Sequence, residues 1–471
     1  MHAAALFLHR GDPVDARSYA AENRTRFLDE LTSLLRIPSV SAVPKHRNDV
    51  ARAAEWLRDH LDGLGFQAEV IPVENGHPIV YADWMKAAGK PTVLFYGHYD
   101  VQPVEPLDLW TSPPFEPTIR DGNLFARGAS DDKGQVFAVI KALESILRST
   151  GPLPVNVKLL IEGEEELGSP GINRWIERRG ARKAACDFAW VSDGSLFAPG
   201  VPQITTGLRG LIYAEVEVTG ASHDLHSGQH GGAAPNPINA LAAIIAGLRD
   251  KKGRVTVPRF YGAVQDPAPE EKAAWARLPF REDEYLRDLG IATSPGETGY
   301  SILERRWTRP TLDVNGIIGG WVGAGPKTVI PAKASAKISM RLVPEQRSKT
   351  LFRSFERRVR KLAPEAVGVE VRLLSASDAV VVDPAAPPIR AAAAVVREIW
   401  GAEPVYTREG GSVPVVTQFS RVLKVPTVMF GFGLPDDNLH APNEKYHLPN
   451  FYKGIDTVIA WVERVGGSQT G

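Results

Sequence analysis

Five short segments of this chain each carry a histidine or a carboxylate, and most of them follow an apolar run that reads as a strand. They are Gly97-His98-Tyr99-Asp100, Ser130-Asp131-Asp132-Lys133-Gly134, Glu164-Glu165-Glu166, Val191-Ser192-Asp193-Gly194 and Leu439-His440-Ala441-Pro442-Asn443-Glu444. Side chains delivered from separate strand ends constrain the fold to a sheet whose carboxyl edge gathers them, the edge where open α/β sheets bind ligands.

The flanking sequence agrees. Phe27, Leu28, Leu31, Leu34 and Leu35 fall at helical spacing, and Pro38 stops that helix. A second amphipathic helix is expected over Asp49–Leu64. Short buried strands are expected at Thr92–Tyr96, Val155–Ile161 and Phe188–Val191, with a helix over Gln135–Leu147 between the first two. Alternation of this kind predicts the α/β class, with a largely parallel sheet flanked by helices.

Near Gly207 the pattern changes. Leu211–Val218 and Ala334–Leu342 alternate polar and apolar residues, as a sheet with one wet face requires. With helices expected over Pro237–Leu248 and Ser348–Leu362 and a strand at Val369–Leu374, they predict an inserted α+β lid over 207–384. The surrounding domain is then built in two parts, 1–206 and 385–471. Residues 256–310, rich in proline, tryptophan and charge, are an insertion whose purpose the sequence does not declare.

Charge narrows the partners. Lys+Arg and Asp+Glu each number 55, so no net charge favours nucleic acid or an anionic membrane. No apolar run has a membrane-spanning length of roughly 18 residues. The start resembles no signal peptide and Cys186 stands alone, so a cytoplasmic protein without an intrachain disulfide is expected.

Taken singly, these residues have ordinary explanations. His98-Tyr99-Asp100 could be a capped turn, and Asp131-Asp132 could cap the helix that follows. Together, two histidines and several carboxylates at strand ends suit a pair of divalent cations. One of the adjacent glutamates would then be a ligand and its neighbour a general base. Asp100, two residues beyond His98, could accept from its second ring nitrogen.

Read in order, GHYDVQP, RGASDDKG, EGEEELGS, VSDG, LHSG, REGGSVPV and LHAPNEKY resemble the two-metal peptidase superfamily of carnosinase, cytosolic nonspecific dipeptidase, glutamate carboxypeptidase and acetylornithine deacetylase. The first two motifs point to its dipeptidase branch. The resemblance implies that His98 and Asp193 bind one metal, Glu166 and His440 the other, and that Asp131 bridges them. It implies Glu165 as catalytic base, Asp100 as the group that orients His98, and His226 as a lid histidine. Arg341, Thr328, Gly411 and Ser412 fall where that family contacts substrate.

The implied activity is metal-dependent hydrolysis of a dipeptide or short peptide with a free C-terminal carboxylate, by a water bridging two ions. Zinc is the default and manganese or cobalt the alternatives. A homodimer joined through the lid and a cis Asp131–Asp132 peptide are implied as well. An N-acyl amino acid deacylase or carboxypeptidase of the same superfamily is the alternative, and a noncatalytic binding protein with this fold a further one.

Overall fold

A computed structural model describes residues 15–411 and 413–467. These divide into two compact units. The first comprises the described residues up to Thr205, Val382–Tyr406 and those from Pro414 onward. The second comprises Thr206–Val381 and Thr407–Val413.

The first unit is built on a six-stranded sheet in the order Gln67–Ile71, Ile79–Trp84, Asn156–Glu162, Thr92–His98, Phe188–Val191, Thr427–Met429. The last four run parallel. Val, Leu, Ile and Phe fill them and both faces are covered, so Asn156–Glu162 is buried at every position. The first two strands form an antiparallel hairpin at the opposite edge, an element that a reading of parallel strands alone does not anticipate. Its signal is local: Asn75-Gly76 interrupts two strand-forming runs, and Asn75 adopts a φ of 56°.

The helix Lys133–Ser149 is buried from Lys133 through Ile146 and packs against both the sheet and the final helix Leu448–Gly467. Trp461 on that final helix meets Phe95, Phe188 and Trp190 with ring centroids 4.7–6.1 Å apart. These aromatic contacts tie the last part of the chain to the central strands.

The second unit holds a four-stranded antiparallel sheet, ordered Thr311–Gly319, Lys333–Leu342, Gly210–Thr219, Gly368–Ser377. Alternation on the inner strands sends Ile212, Ala214, Val216, Val218, Ala336, Ile338 and Met340 into a core closed by the helices Pro237–Gly247 and Ser348–Leu362. The edge strand Thr311–Gly319 was not expected. Its Val314, Ile317 and Ile318 are exposed, so no period of two marks it, and a register shift falls between Val314 and Gly316.

The insertion is folded. It includes the helices Pro269–Trp275, Glu282–Asp288 and Ile302–Trp307, and Trp275 packs edge-on against Trp307. Among the described residues no helix is long and apolar enough to cross a membrane.

Candidate metal centre

In the first unit, strand exits set the positions. His98 ends its strand, Glu165 and Glu166 lie in the turn after Asn156–Glu162, and Asp193 follows Phe188–Val191. Asp131 precedes the long helix, and His440 lies in the loop before Lys445 with a φ of 61°.

These residues converge as two groups. Ligand atoms of His98, Asp131 and Asp193 lie within 4.8 Å of one another, as do those of Asp131, Glu166 and His440. Asp131 belongs to both, one oxygen facing each. Its Oδ1 is 2.9 Å from His98 Nε2 and its Oδ2 is 3.0 Å from His440 Nε2. Asp193 Oδ2 is 3.9 Å from His98 Nε2, and Glu166 Oε2 is 3.2 Å from His440 Nε2.

Whether cations fit can be judged from the protons. His98 has oxygens against both ring nitrogens: the Asp100 carbonyl is 3.0 Å from Nδ1 and Asp131 is at Nε2. Without a cation only an imidazolium satisfies both. Despite burial, the carboxylates of Asp100 and Asp131 hold His98 well above its ordinary pKa. Hydrogen bonds to Asp131 and Glu166 push His440 up to about 10. Protons thus supply positive charge where the carboxylates crowd. A cation between each Nε2 and its carboxylates would supply that charge with neutral rings, the form in which imidazole binds metals. The donor set fits a pair of divalent ions.

The supporting contacts differ from expectation in two places. Asp132 does not cap the following helix with its side chain; its Oδ2 accepts from the His98 N–H at 3.2 Å. That approach needs Gly97, where a Cβ would lie 2.6 Å from the same oxygen and 2.2 Å from Val136. Asp100 meets His98 chiefly through its carbonyl, its Oδ1 lying 3.4 Å from Nδ1. The Asp100 carboxylate accepts from the backbone N–H groups of Glu165 and Glu166 at 3.1 and 3.2 Å. One residue therefore steers both the His98 ring and the glutamate turn. The Asp131–Asp132 peptide is cis.

Two further residues escaped the sequence reading. Glu444, fully buried, accepts from the backbone N–H groups of Gly128, Ser130 and Asp131 at 3.0–3.1 Å and from Arg127 at 2.7 Å. It holds the loop that presents Asp131. Gln102 donates to Glu166 Oε2 at 2.7 Å. Spacing along the chain marks neither, because their partners are 64 to 317 positions away. A third metal-like group, Glu30, His60 and Glu144, already contains its cations. Lys141 contacts all three, and Arg26 pairs with both glutamates.

The remaining candidates lie in the second unit. His226 pairs with Val329 in a two-stranded ribbon, and the Ser227 N–H donates to the Thr328 carbonyl at 3.0 Å, so His226 and Thr328 are neighbours and both exposed. His226 Nδ1 accepts from the Gly228 N–H at 3.0 Å, which leaves the proton of a neutral ring on Nε2, available to an oxyanion. Arg341 is half-buried on the strand Lys333–Leu342. Gly411 is exposed, and Ser412 lies outside the described residues.

Comparison with known proteins places this geometry. Residues 94–464 match the peptidase family M20/M25/M40. The chain is 33% identical over 465 residues to the Cys-Gly metallodipeptidase DUG1 of Candida albicans, covering 94% of this chain and 96% of that one. It is 31% identical to the human Beta-Ala-His dipeptidase, with 90% and 86% covered. Among solved structures it is similar to the M20 family metallo-carboxypeptidase Sso-CP2 of Sulfolobus solfataricus, with a TM-score of 0.86, 32% identity and 93% and 99% covered.

Proposed function

Because the chain belongs to peptidase family M20/M25/M40 and is a metal-dependent dipeptidase, we propose that His98 and Asp193 hold one divalent cation, Glu166 and His440 a second, and Asp131 both. The observation that carries this reading is the single carboxylate shared by two otherwise separate ligand groups. Zinc is the proposed ion; hard oxygen donors without a thiolate suit manganese or cobalt as well. Divalent cations in such a site act as Lewis acids that acidify water and polarise a carbonyl.

The chain's own groups do the rest. Glu165 takes a proton from the attacking water as the C–O bond forms and returns it to the leaving nitrogen as the C–N bond breaks. His226 donates from Nε2 to the carbonyl oxygen as negative charge develops there. Arg341 pairs with the substrate's C-terminal carboxylate through its planar fork, and Thr328 and Gly411 are proposed as further substrate contacts. Asp100 keeps His98 oriented. Dipeptides with a free C-terminal carboxylate are the proposed substrates, the class to which the Cys-Gly and β-Ala-His of the relatives' names belong.

Purified, metal-loaded enzyme should cleave free dipeptides and cleave their C-terminal amides far less well. Equal kcat/KM for a dipeptide and its amide would remove Arg341 from this role. The similarity to a carboxypeptidase supports a second reading. N-blocked dipeptides cleaved as fast as free ones would favour it.

A homodimer joined through the second unit is part of the proposal. The edge strand Thr311–Gly319 exposes Val314, Ile317 and Ile318, and Trp321 and Val322 follow it, also exposed. Such an edge invites a partner. His226 is proposed to act in the partner's site. Mixing inactive His226→Ala and Glu165→Gln enzymes and allowing subunit exchange should restore activity, because half the sites of a mixed dimer would carry neither lesion. Mixed dimers without recovered turnover would place His226 elsewhere. Cytoplasmic residence is also proposed, in keeping with a lone cysteine.

A further inference from the structure

A cavity of about 530 Å³ opens within the second unit, and its lining holds six arginines against two carboxylates. Both carboxylates are already engaged. Glu297 accepts from Arg309 at 2.8 Å and from Arg254 at 3.1 Å, and Asp313 accepts from Arg249 at 3.2 Å. Arg305 donates to the carbonyls of Ser294 and Pro295 at 3.3 and 3.1 Å, and Arg209 to those of Gly410 and Arg309 at 3.1 and 3.3 Å. A carbonyl is a neutral acceptor, so these four bonds orient the guanidinium groups and add no negative charge. Arg306 is exposed and lies 5.4 Å from the centre of the Tyr285 ring.

The charges of Arg341 and Arg306 both reach Arg209. Burial pushes the Arg209 guanidinium down to about 10, and the charges of Arg341 and Arg306 add to that effect while Asp313 opposes it. The volume suits an amino-acid residue of almost any size, so charge rather than fit must set the preference. The insertion over 256–310 supplies Arg305, Arg306, Arg309, Tyr285 and Glu297, whereas Arg209 and Arg341 come from the sheet strands or beside them. The insertion thus supplies three of the six arginines that line the cavity together with Arg341.

We propose that this cavity selects an acidic residue on the carboxyl side of the cleaved bond, with Arg341 on its α-carboxylate and Arg306 and Arg209 facing its side-chain carboxylate. Within the dipeptides, those ending in glutamate or aspartate are the favoured substrates. The inference rests on the reading of Arg341 as the carboxylate's partner. Planar guanidinium forks, with no lysine in the lining, match carboxylates better than point charges would.

Calorimetric titration of the full-length, metal-loaded protein with L-glutamate and L-glutamine tests the cavity without turnover, since the two ligands share a shape and differ in one charge. Glutamate should bind about tenfold or more tightly, the size of one hydrogen bond to a charged group, and added salt should weaken it more than glutamine. In Arg306→Gln, a change at an exposed position that a thermal melt will show to be folded, that ratio should fall towards one. With dipeptides under turnover the preference should appear in KM, with Ala-Glu favoured over Ala-Gln. Equal affinity for the two amino acids, or a preference that survives Arg306→Gln, overturns the inference. A glutamate preference lost in Arg306→Gln, but with neither dipeptide cleaved, would support the anion site and count against the dipeptidase reading.

Discussion

Glu165→Gln enzyme is expected to keep its metal and lose its turnover, kcat falling by a factor of roughly 10² to 10⁴, the usual range when a general base is removed. Glu165 is adjacent in sequence to Glu166, yet the two differ in their surroundings. Glu166 lies 3.2 Å from His440 Nε2 and accepts from Gln102. Glu165 is outside both ligand groups. Burial pushes its carboxyl well above the ordinary range, and Asp193 and Glu166 reinforce the shift against the opposing effect of His98. A group in that position is disposed to accept a proton. The same substitution at Glu166 should instead release an ion. Measuring metal content and kcat on both variants separates the roles, and a metal lost from Glu165→Gln but retained in Glu166→Gln would reverse them.

Asp131→Ala should have the larger effect on the ions themselves. Each of its oxygens faces a different histidine at 2.9 or 3.0 Å, so its removal takes a ligand from both positions at once. Asp193→Ala should weaken only the position shared with His98. Asp100→Asn, which alters an orienting contact, should lower metal affinity by about 10–100-fold, as loss of such outer hydrogen bonds generally does. Competition with a fluorescent chelator reads the affinities in order. If Asp131→Ala weakens metal binding no more than Asp100→Asn does, Asp131 is not shared between the ions.

The parts of this molecule that were legible in the sequence are those governed by local pattern. Buried runs such as Thr92–His98 and Phe188–Val191 declare themselves by composition. Because parallel strands all exit at one edge, His98, Glu166 and Asp193 had to approach one another once those runs were strands. The period of two over Gly210–Thr219 marked a sheet with one covered face. The contacts that were not legible depend on distant partners. Nothing near Glu444 announces that its carboxylate organises residues 128–131, and nothing near Asp132 announces that it turns from the helix to the His98 backbone. Spacing along the chain shows for Asp100 only its neighbour His98, and the fold adds the glutamate turn. The edge strand Thr311–Gly319 escaped because its apolar residues face outward, against the rule by which strands are recognised. The arginine cavity joins strand residues to an insertion that carries no motif.

If Asp131 joins two ion positions, the active enzyme holds two ions per chain, and counting them tests that sharing. Elemental analysis of purified enzyme, titrated with zinc or manganese while activity is followed, should show full activity only as occupancy approaches two ions per chain. Chelation should abolish activity, and restoring the metal should recover it. Full activity at one tightly bound ion per chain would contradict the account.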